Sequence, residues 1–318
     1  MRILIVKTSS LGDVIHNLPV VSDIRRHFPE ALIDWCVEEN FAAIPRLHPG
    51  VAEVFSVAVR RWRKRPFCRQ TWREMAAFRR RLRERRYDLV LDTQGLVKSA
   101  LLAAQAIGPR CGHAAVSARE PLAARFYQRH VAVPTKAHAV TRNRQLAAGA
   151  LGYAPDDAAP DYGIAVPAAA FAWLPPAPYA VFLTASSRDD KLWPQAHWLE
   201  LGRQLREQGC RAVLPGGSAV ERERAARLAA GIADAVAAPP LDLAALAAVL
   251  AGARQAVGVD TGLTHLAVAL NVPTVALYTA TDPGLTGVFG SAFHRNLGGK
   301  GQMPSPAAVL GELRAVPG

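Results

Sequence analysis

What most constrains this chain is a repeated hand-over from a short, unbroken apolar run to a helical pattern. The first run, "RILIVK" at residues 2–7, has no polar alternate positions. A strand of that kind is covered on both faces, as in a parallel sheet flanked by helices. After it Val14, Leu18, Val21 and Phe28 recur at near-helical spacing and Pro29 closes the segment, which predicts one helix. "LIDWCVEE" reads as the next strand. Trp72, Met75, Phe78 and Leu82 predict the apolar stripe of an amphipathic helix, followed by the strand "DLVLD" and the turn "TQG".

The alternation lapses in a segment rich in Pro, Gly and Ala, which reads as a linker over 156–177. It then restarts with "YAVFLTA", "CRAVLPGG", "QAVGVD" and "TVALYT", each beside a helical pattern. The chain is therefore expected to be α/β, with two Rossmann-like domains at 1–155 and 178–318 whose parallel sheets face each other across a cleft. Ligands of such sheets bind at the carboxyl ends of the strands. "SPAAVLGELRAV" reads as a closing C-terminal helix, expected to pack back on the first domain.

Half of the 318 residues are hydrophobic, ample for two cores. The apolar "ILIV" before Lys7 is too short for a signal peptide, and no run of about 18 apolar residues offers a membrane span. A cytoplasmic protein is expected. Cys36, Cys68, Cys111 and Cys210 are scattered with no C-x-x-C pair, which speaks against disulfides and structural zinc.

Charge divides the chain. Residues 1–160 hold 26 Lys and Arg against 14 Asp and Glu, and residues 161–318 hold 12 of each. All of the net +12 lies in the front half, which points that half toward an anionic partner: nucleic acid, an acidic membrane surface or an anionic substrate. Only six of the basic residues are Lys, so a general drift toward Arg also contributes.

Several turns could carry chemistry. "TSSLGDV" has one glycine and fits neither the dinucleotide nor the P-loop fingerprint. Asp13 reads either as a helix-entry acid or as a general base at the tip of the first strand. The field of a helix end favours a charged acid, the form a base requires. "ASSRDDKLWP" offers the hydroxyls of Ser186 and Ser187 and the ammonium of Lys191, a point-charge partner for phosphate. Asp189 and Asp190 are adjacent and flanked by bases, so they read as salt-bridging or helix-capping acids, with no metal. "PGGSAVE" is a strand-to-helix glycine turn in which Glu221 reads as a first-turn acid or a ribose ligand. In "GVDTGLTHLAVAL", Thr261 and Gly262 open a helix whose N–H groups suit a pyrophosphate, Asp260 suits sugar hydroxyls, and His265 lies one turn in. "RRWRKRP" reads as a solvated loop or a phosphate clamp, and "RRRLRERR" as a solvated helix face. Arg119 and Arg125 add local charge further on.

Taken together, "KTSSLGDVIHNLP", "SSRDDKLWP", "GVDTGLTHLAVAL" and "TDPGL" resemble the type I lipopolysaccharide heptosyltransferases of glycosyltransferase family 9, in order, from the first strand to about Gly290. "KTSSLGD" and "RDDK" resemble type I more than type II. The resemblance implies the two-Rossmann GT-B architecture. It also implies inverting, metal-free transfer of L-glycero-D-manno-heptose from ADP-heptose to the first Kdo of Kdo2-lipid A, in inner-core synthesis. The front domain would take the acceptor and the rear domain the donor. Asp13 matches the family's catalytic carboxylate and Lys191 its donor-phosphate lysine. Glu221 matches the ribose contact, and Asp260, Thr261, Gly262 and His265 match the donor loop. Ser186 and Ser187 stand where threonines are common, and "YTATDP" departs mildly from the pattern.

Arg60, Arg61, Arg63, Lys64 and Arg119 become acceptor-binding candidates on this view. The protein would lie peripherally on the cytoplasmic face of the inner membrane, against an anionic surface, with no nucleic-acid partner and no cofactor. The alternatives are a heptosyltransferase II, another GT-B sugar-nucleotide enzyme such as an epimerase, or a polyanion-binding module. The last gives no reason for a phosphate-suited turn in the charge-balanced rear half.

Overall fold

The computed structural model describes residues 1–155, 158–290 and 293–315. It divides into two compact units, Met1–Ala165 and Val166–Gly318, the division falling inside the stretch read as a linker. The first two linker residues, Asp156 and Asp157, and the last three residues of the chain lie outside the described residues. Residues 158–178 contain no helix or strand. Ala165 N–H donates to Leu47 O (2.8 Å) and Ala158 O accepts from Arg144, so the start of this stretch belongs to the first unit.

In the first unit the strands are β1 (Arg2–Val6), β2 (Leu32–Glu38), β3 (Val51–Val57), β4 (Leu89–Asp92), β5 (Arg110–His113) and β6 (Arg129–Val131). All pair in parallel, in the order β3-β2-β1-β4-β5-β6. The helices are α1 (Leu11–Ile15), α2 (Leu18–His27), α3 (Ala43–Arg46), α4 (Val59–Lys64), α5 (Arg69–Arg83), α6 (Val97–Ala103) and α7 (Ala139–Leu151). β1 is central and Ile3 to Val6 are wholly buried, as its unbroken apolar run requires.

The second unit holds β7 (Tyr179–Leu183), β8 (Arg211–Leu214), β9 (Val236–Ala237), β10 (Gln255–Val259), β11 (Thr274–Tyr278) and β12 (His294–Gly298). Their order, β12-β11-β10-β7-β8-β9, repeats the connectivity of the first sheet, again all parallel. α8 (Gln195–Glu207), α9 (Ala219–Ala230), α10 (Leu243–Ala251), α11 (Gly262–Ala269) and α12 (Pro306–Arg314) complete it. This 3-2-1-4-5-6 connectivity is that of the doubly wound nucleotide-binding fold, and it reverses direction between the first and fourth strands. Those switch points are β1/β4 in one unit and β7/β10 in the other.

Two sequence expectations are corrected. The helix expected from Val14 to Phe28 is two helices, α1 and α2, broken at His16-Asn17. Pro19, at the second position of α2, has no N–H and obstructs the turn before it, so it starts a helix rather than continuing one. In α5 the buried stripe is Thr71, Phe78 and Leu82, while Trp72 and Met75 are exposed. Thr71 turns inward, its hydroxyl donating to Arg65 O (2.9 Å), and Trp72 stands about 100° round the helix from it. In the C-terminal helix α12, Val309, Leu310 and Leu313 fill the second unit's core beside Phe182, Trp193 and Trp198. Trp193 Nε1 fixes the approach by donating to Pro304 O (2.9 Å).

Among the described residues no helix is long and apolar enough to cross a membrane.

Candidate active site

At the β1/β4 switch point the chain leaves β1 through Lys7, Thr8, Ser9 and Ser10 and enters α1. One side chain from the neighbouring strand end organises this turn. Gln94 Oε1 accepts from Thr8 N (2.7 Å), Thr8 Oγ1 (3.0 Å) and Ser9 N (3.2 Å), while its amide group donates to Ser9 O. Gln94 is itself held by its N–H to Asp92 Oδ1 (2.8 Å), and Asp92 Oδ2 accepts from Tyr127 Oη (2.8 Å). Lys7 is buried beneath the turn, with Nζ donating to Thr93 O (2.8 Å) and Asn143 Oδ1 (3.3 Å). Burial pushes the Lys7 pKa down, and the fields of Asp13 and Asp92 oppose the shift.

The turn presents Asp13 at the third position of α1. Its Oδ2 accepts from Ser10 N (2.8 Å) and Ser10 Oγ (3.0 Å), closing a capping box. Its Oδ1 has no hydrogen-bond partner among the described residues. Asp13 is thus both the helix-entry acid and a carboxylate with one oxygen open.

Cations gather round it. Lys98 Nζ donates to Ser9 Oγ (2.9 Å), and its pKa is lowered, first by burial, with Arg60 and Arg119 adding to the shift and Glu38 and Asp13 opposing it. Arg60 is anchored by its N–H to Glu38 Oε1 (3.0 Å) and lies over the Phe41 ring. Arg119 follows the Gly95 turn, where Glu120 N–H donates to Gly95 O (3.0 Å). Arg61 is tied elsewhere, to Glu39 (3.1 Å) and Glu74 (2.9 Å). Arg63 and Lys64 are exposed on α4 and form no ion pair among the described residues. The basic run read as loop or clamp is therefore helical, with Trp62 buried between its charges.

In the second unit the β7/β10 switch point brings Ser186, Lys191 and Asp260 together, with Thr261 and Gly262 next along the chain. Lys191 Nζ lies 2.7 Å from Asp260 Oδ2, which also accepts from Thr281 Oγ1 (2.6 Å). Ser186 Oγ donates to Asp260 O (3.1 Å). Thr261 is the N-cap of α11 with its side chain uncommitted to the cap, Gly262 is the first helical residue, and His265 is buried one turn further in. Ser187 is exposed, and Asp190 is ion-paired with Arg188 as expected for a salt-bridging acid.

Glu221 lies on a separate turn, after β8. Its Oε2 accepts from Gly217 N (2.8 Å) and Ser218 N (2.9 Å), so it forms the capping box of α9. Gly216 has to be glycine here, because a Cβ would come within 2.6 Å of Arg222 N. Among the described residues no group of three or more His, Cys, Asp or Glu side chains is placed to hold a metal ion.

Lys7, Gln94 and Lys98 were not anticipated. Lysine rarity was a usable signal: Lys7, Lys98 and Lys191 are three of only six lysines in the chain, and all lie at the two switch points.

Residues 75–306 match the sequence model of glycosyltransferase family 9 (heptosyltransferase). The chain belongs to this family, and its two doubly wound units are the α/β architecture expected from sequence. Lipopolysaccharide heptosyltransferase 1 of Pseudomonas aeruginosa is 53% identical over 91% of this chain and 82% of its own length. The solved structure of E. coli heptosyltransferase WaaC with ADP matches with a TM-score of 0.91 at 44% identity, covering 99% of both chains. E. coli heptosyltransferase II matches with a TM-score of 0.77 at 25% identity, covering 99% of this chain and 98% of its own. Within the family the chain therefore stands with the type 1 enzymes rather than type 2.

Proposed function

We propose that this protein transfers L-glycero-D-manno-heptose from ADP-heptose to the first Kdo of Kdo2-lipid A, inverting the anomeric centre. The observation that carries the reading is the pair of switch-point sites: a half-open carboxylate amid cations in one unit, and a lysine beside a helix N-terminus in the other. The solved WaaC structures with ADP and with ADP-2-deoxy-2-fluoro heptose support the choice of donor.

In this mechanism the Kdo hydroxyl oxygen attacks the anomeric carbon of the heptose as the bond from that carbon to the diphosphate oxygen breaks. ADP leaves with the electron pair, and the hydroxyl proton passes to the open Oδ1 of Asp13. Lys98, Arg60 and Arg119 would hold the acceptor's carboxylates and phosphates, with Arg61, Arg63 and Lys64 further out. Lys191 would meet the charge developing on the diphosphate, helped by the first N–H groups of α11. Asp260, Thr261, Gly262, His265, Ser186 and Ser187 would line the donor, and Glu221 would offer its other oxygen to the ribose. The first unit would thus be the acceptor domain and the second the donor domain. An acceptor set in a bilayer implies peripheral binding to the inner membrane, on its cytoplasmic face.

The test is mass analysis of the product from ADP-heptose and Kdo2-lipid A. A gain of one heptose is expected, and no gain would refute the reading. The same reaction after dialysis against EDTA should keep its rate, because the reading assigns the leaving group's charge to Lys191 and backbone N–H groups. A rate restored only by added divalent metal would refute that assignment.

A further inference from the structure

The charge of the first unit lies almost wholly in one place. Residues 60–86 hold 13 Lys and Arg against two acids, and the rest of residues 1–160 hold 13 against 12. These residues form α4, the turn 65–68, α5 and the few residues after it. Part of the charge is neutralised internally: Arg61 by Glu39 and Glu74, Arg81 by Glu53, and Arg85 by Glu53 and Asp34. Arg63, Lys64, Arg69, Arg73, Arg79 and Arg80 are exposed and form no ion pair among the described residues.

Large apolar side chains stand among these cations. Phe67, beside Pro66 in the turn, is 96% exposed, Trp72 is 61% exposed, and Met75 is 39% exposed. Leaving an aromatic side chain in water forgoes the favourable burial that the core gives Phe78 and Leu82. Ordinary folding gives no reason for two of them within five residues of a basic turn.

Single-stranded nucleic acid also pairs arginines with aromatics, but it stacks bases along a groove. Phe67 is nearly fully exposed at a turn between two helices, so it projects rather than lining a groove. Aromatic residues that project from a basic amphipathic helix pair suit the interface of a bilayer: rings settle at headgroup depth, and guanidinium groups meet lipid phosphates.

We propose that the turn 65–68 and the Trp72 side of α5 dock this protein on a bilayer rich in anionic lipid. Phe67 and Trp72 enter the headgroup layer, and the unpaired cations round them bind its phosphates. The inference rests on the proposed lipid-borne acceptor, and it supplies the surface through which a protein with no spanning helix among its described residues reaches it.

The test is co-sedimentation of the full chain with vesicles of phosphatidylglycerol and phosphatidylethanolamine, and with phosphatidylcholine vesicles, in the absence of acceptor. The wild type should bind the anionic vesicles at least about tenfold more tightly than the neutral ones. Phe67→Ser/Trp72→Ser should weaken anionic-vesicle binding by about tenfold or more. Arg69→Gln/Arg73→Gln/Arg80→Gln should weaken it by on the order of a hundredfold. Phe67→Trp should retain it.

Heptose transfer to a water-soluble acceptor without acyl chains should be unchanged in the Phe67/Trp72 variant, which also shows that its fold is intact. Equal vesicle binding by the variants and the wild type would overturn the inference. So would displacement of the wild type from vesicles by equimolar single-stranded RNA bound through the same residues. Vesicle binding is read without turnover. Failure of heptose transfer in the wild type would therefore strike the proposed function alone, and wild-type indifference to anionic vesicles would strike the docking surface.

Discussion

Asp13 commits one carboxylate oxygen to Ser10 and leaves the other open, and the difference between the two oxygens is open to test. Asp13→Ala should lower kcat by roughly 10²–10⁴ while ADP-heptose still binds, the usual range for a lost general base. Near-normal turnover in a single-turnover assay would remove Asp13 from the chemistry. Gln94 touches no proposed substrate, yet it holds Thr8 and Ser9 by four hydrogen bonds and so sets where Ser10 presents Asp13. Gln94→Leu keeps the volume and releases the turn. It should lower kcat by about 10- to 100-fold, as a displacement of about 1 Å does, with little change in the KM for ADP-heptose. A matched loss in both parameters would mean a general loss of fold. The sequence made Asp13 visible because it follows a strand at once. It hid Gln94, Lys98 and Lys7, whose bonds span sequence separations of 85 to 136 residues and exist only once β4 and α7 have joined β1.

The elements divide by how much of each is buried. Every strand read from the sequence, β1, β2, β4, β7, β8, β10 and β11, has neighbours on both sides. Most of them carry a short apolar run, and β2 interrupts its own only with Asp34, which is buried and paired with Arg2 (2.9 Å). The strands that escaped were β3, β6, β9 and β12, the four sheet edges, and β5 beside β6. β6 is "RHV", with Arg129 and His130 exposed, and such a strand has no hydrophobic signature to read. Helix packing was equally hidden where it depends on charge. Arg144 of α7 grips Asp23 of α2 through Nε (2.6 Å) and Nη2 (3.1 Å), with both side chains buried. Arg144→Met should lower the unfolding free energy by about 3 kcal/mol, since it removes the two close contacts of a buried carboxylate and leaves it Arg26 at 3.7 Å. Adding Asp23→Leu should recover much of that loss in urea unfolding, because an apolar pair there replaces two desolvated charges. A double variant weaker than the single one would show that the pair contributes net stability.

At the scale of the whole chain, acid should act on the first unit through two buried histidines. Burial holds His48 down to about 4 and His113 down to about 3, and both lie in the first unit. His48 is locked as the neutral ring: Nδ1 accepts from Gly50 N (3.0 Å), so the proton sits on Nε2, which faces Ser22 Oγ at 3.0 Å. In the unfolded chain both rings titrate near the ordinary value of about 6.5. Their folded values are depressed, so their contribution to stability is full above about pH 6.5 and is lost progressively as pH falls toward 4 and 3. At pH 5 the unfolded state binds nearly two protons that the folded unit refuses, a loss of about 2 kcal/mol for each histidine. Thermal unfolding should therefore show His48→Gln losing about 2 kcal/mol less stability than the wild type between pH 7.5 and pH 5, whatever it does to stability at pH 7.5, because glutamine has no proton to take up. An equal loss in both proteins would mean that the folded unit does not hold His48 neutral.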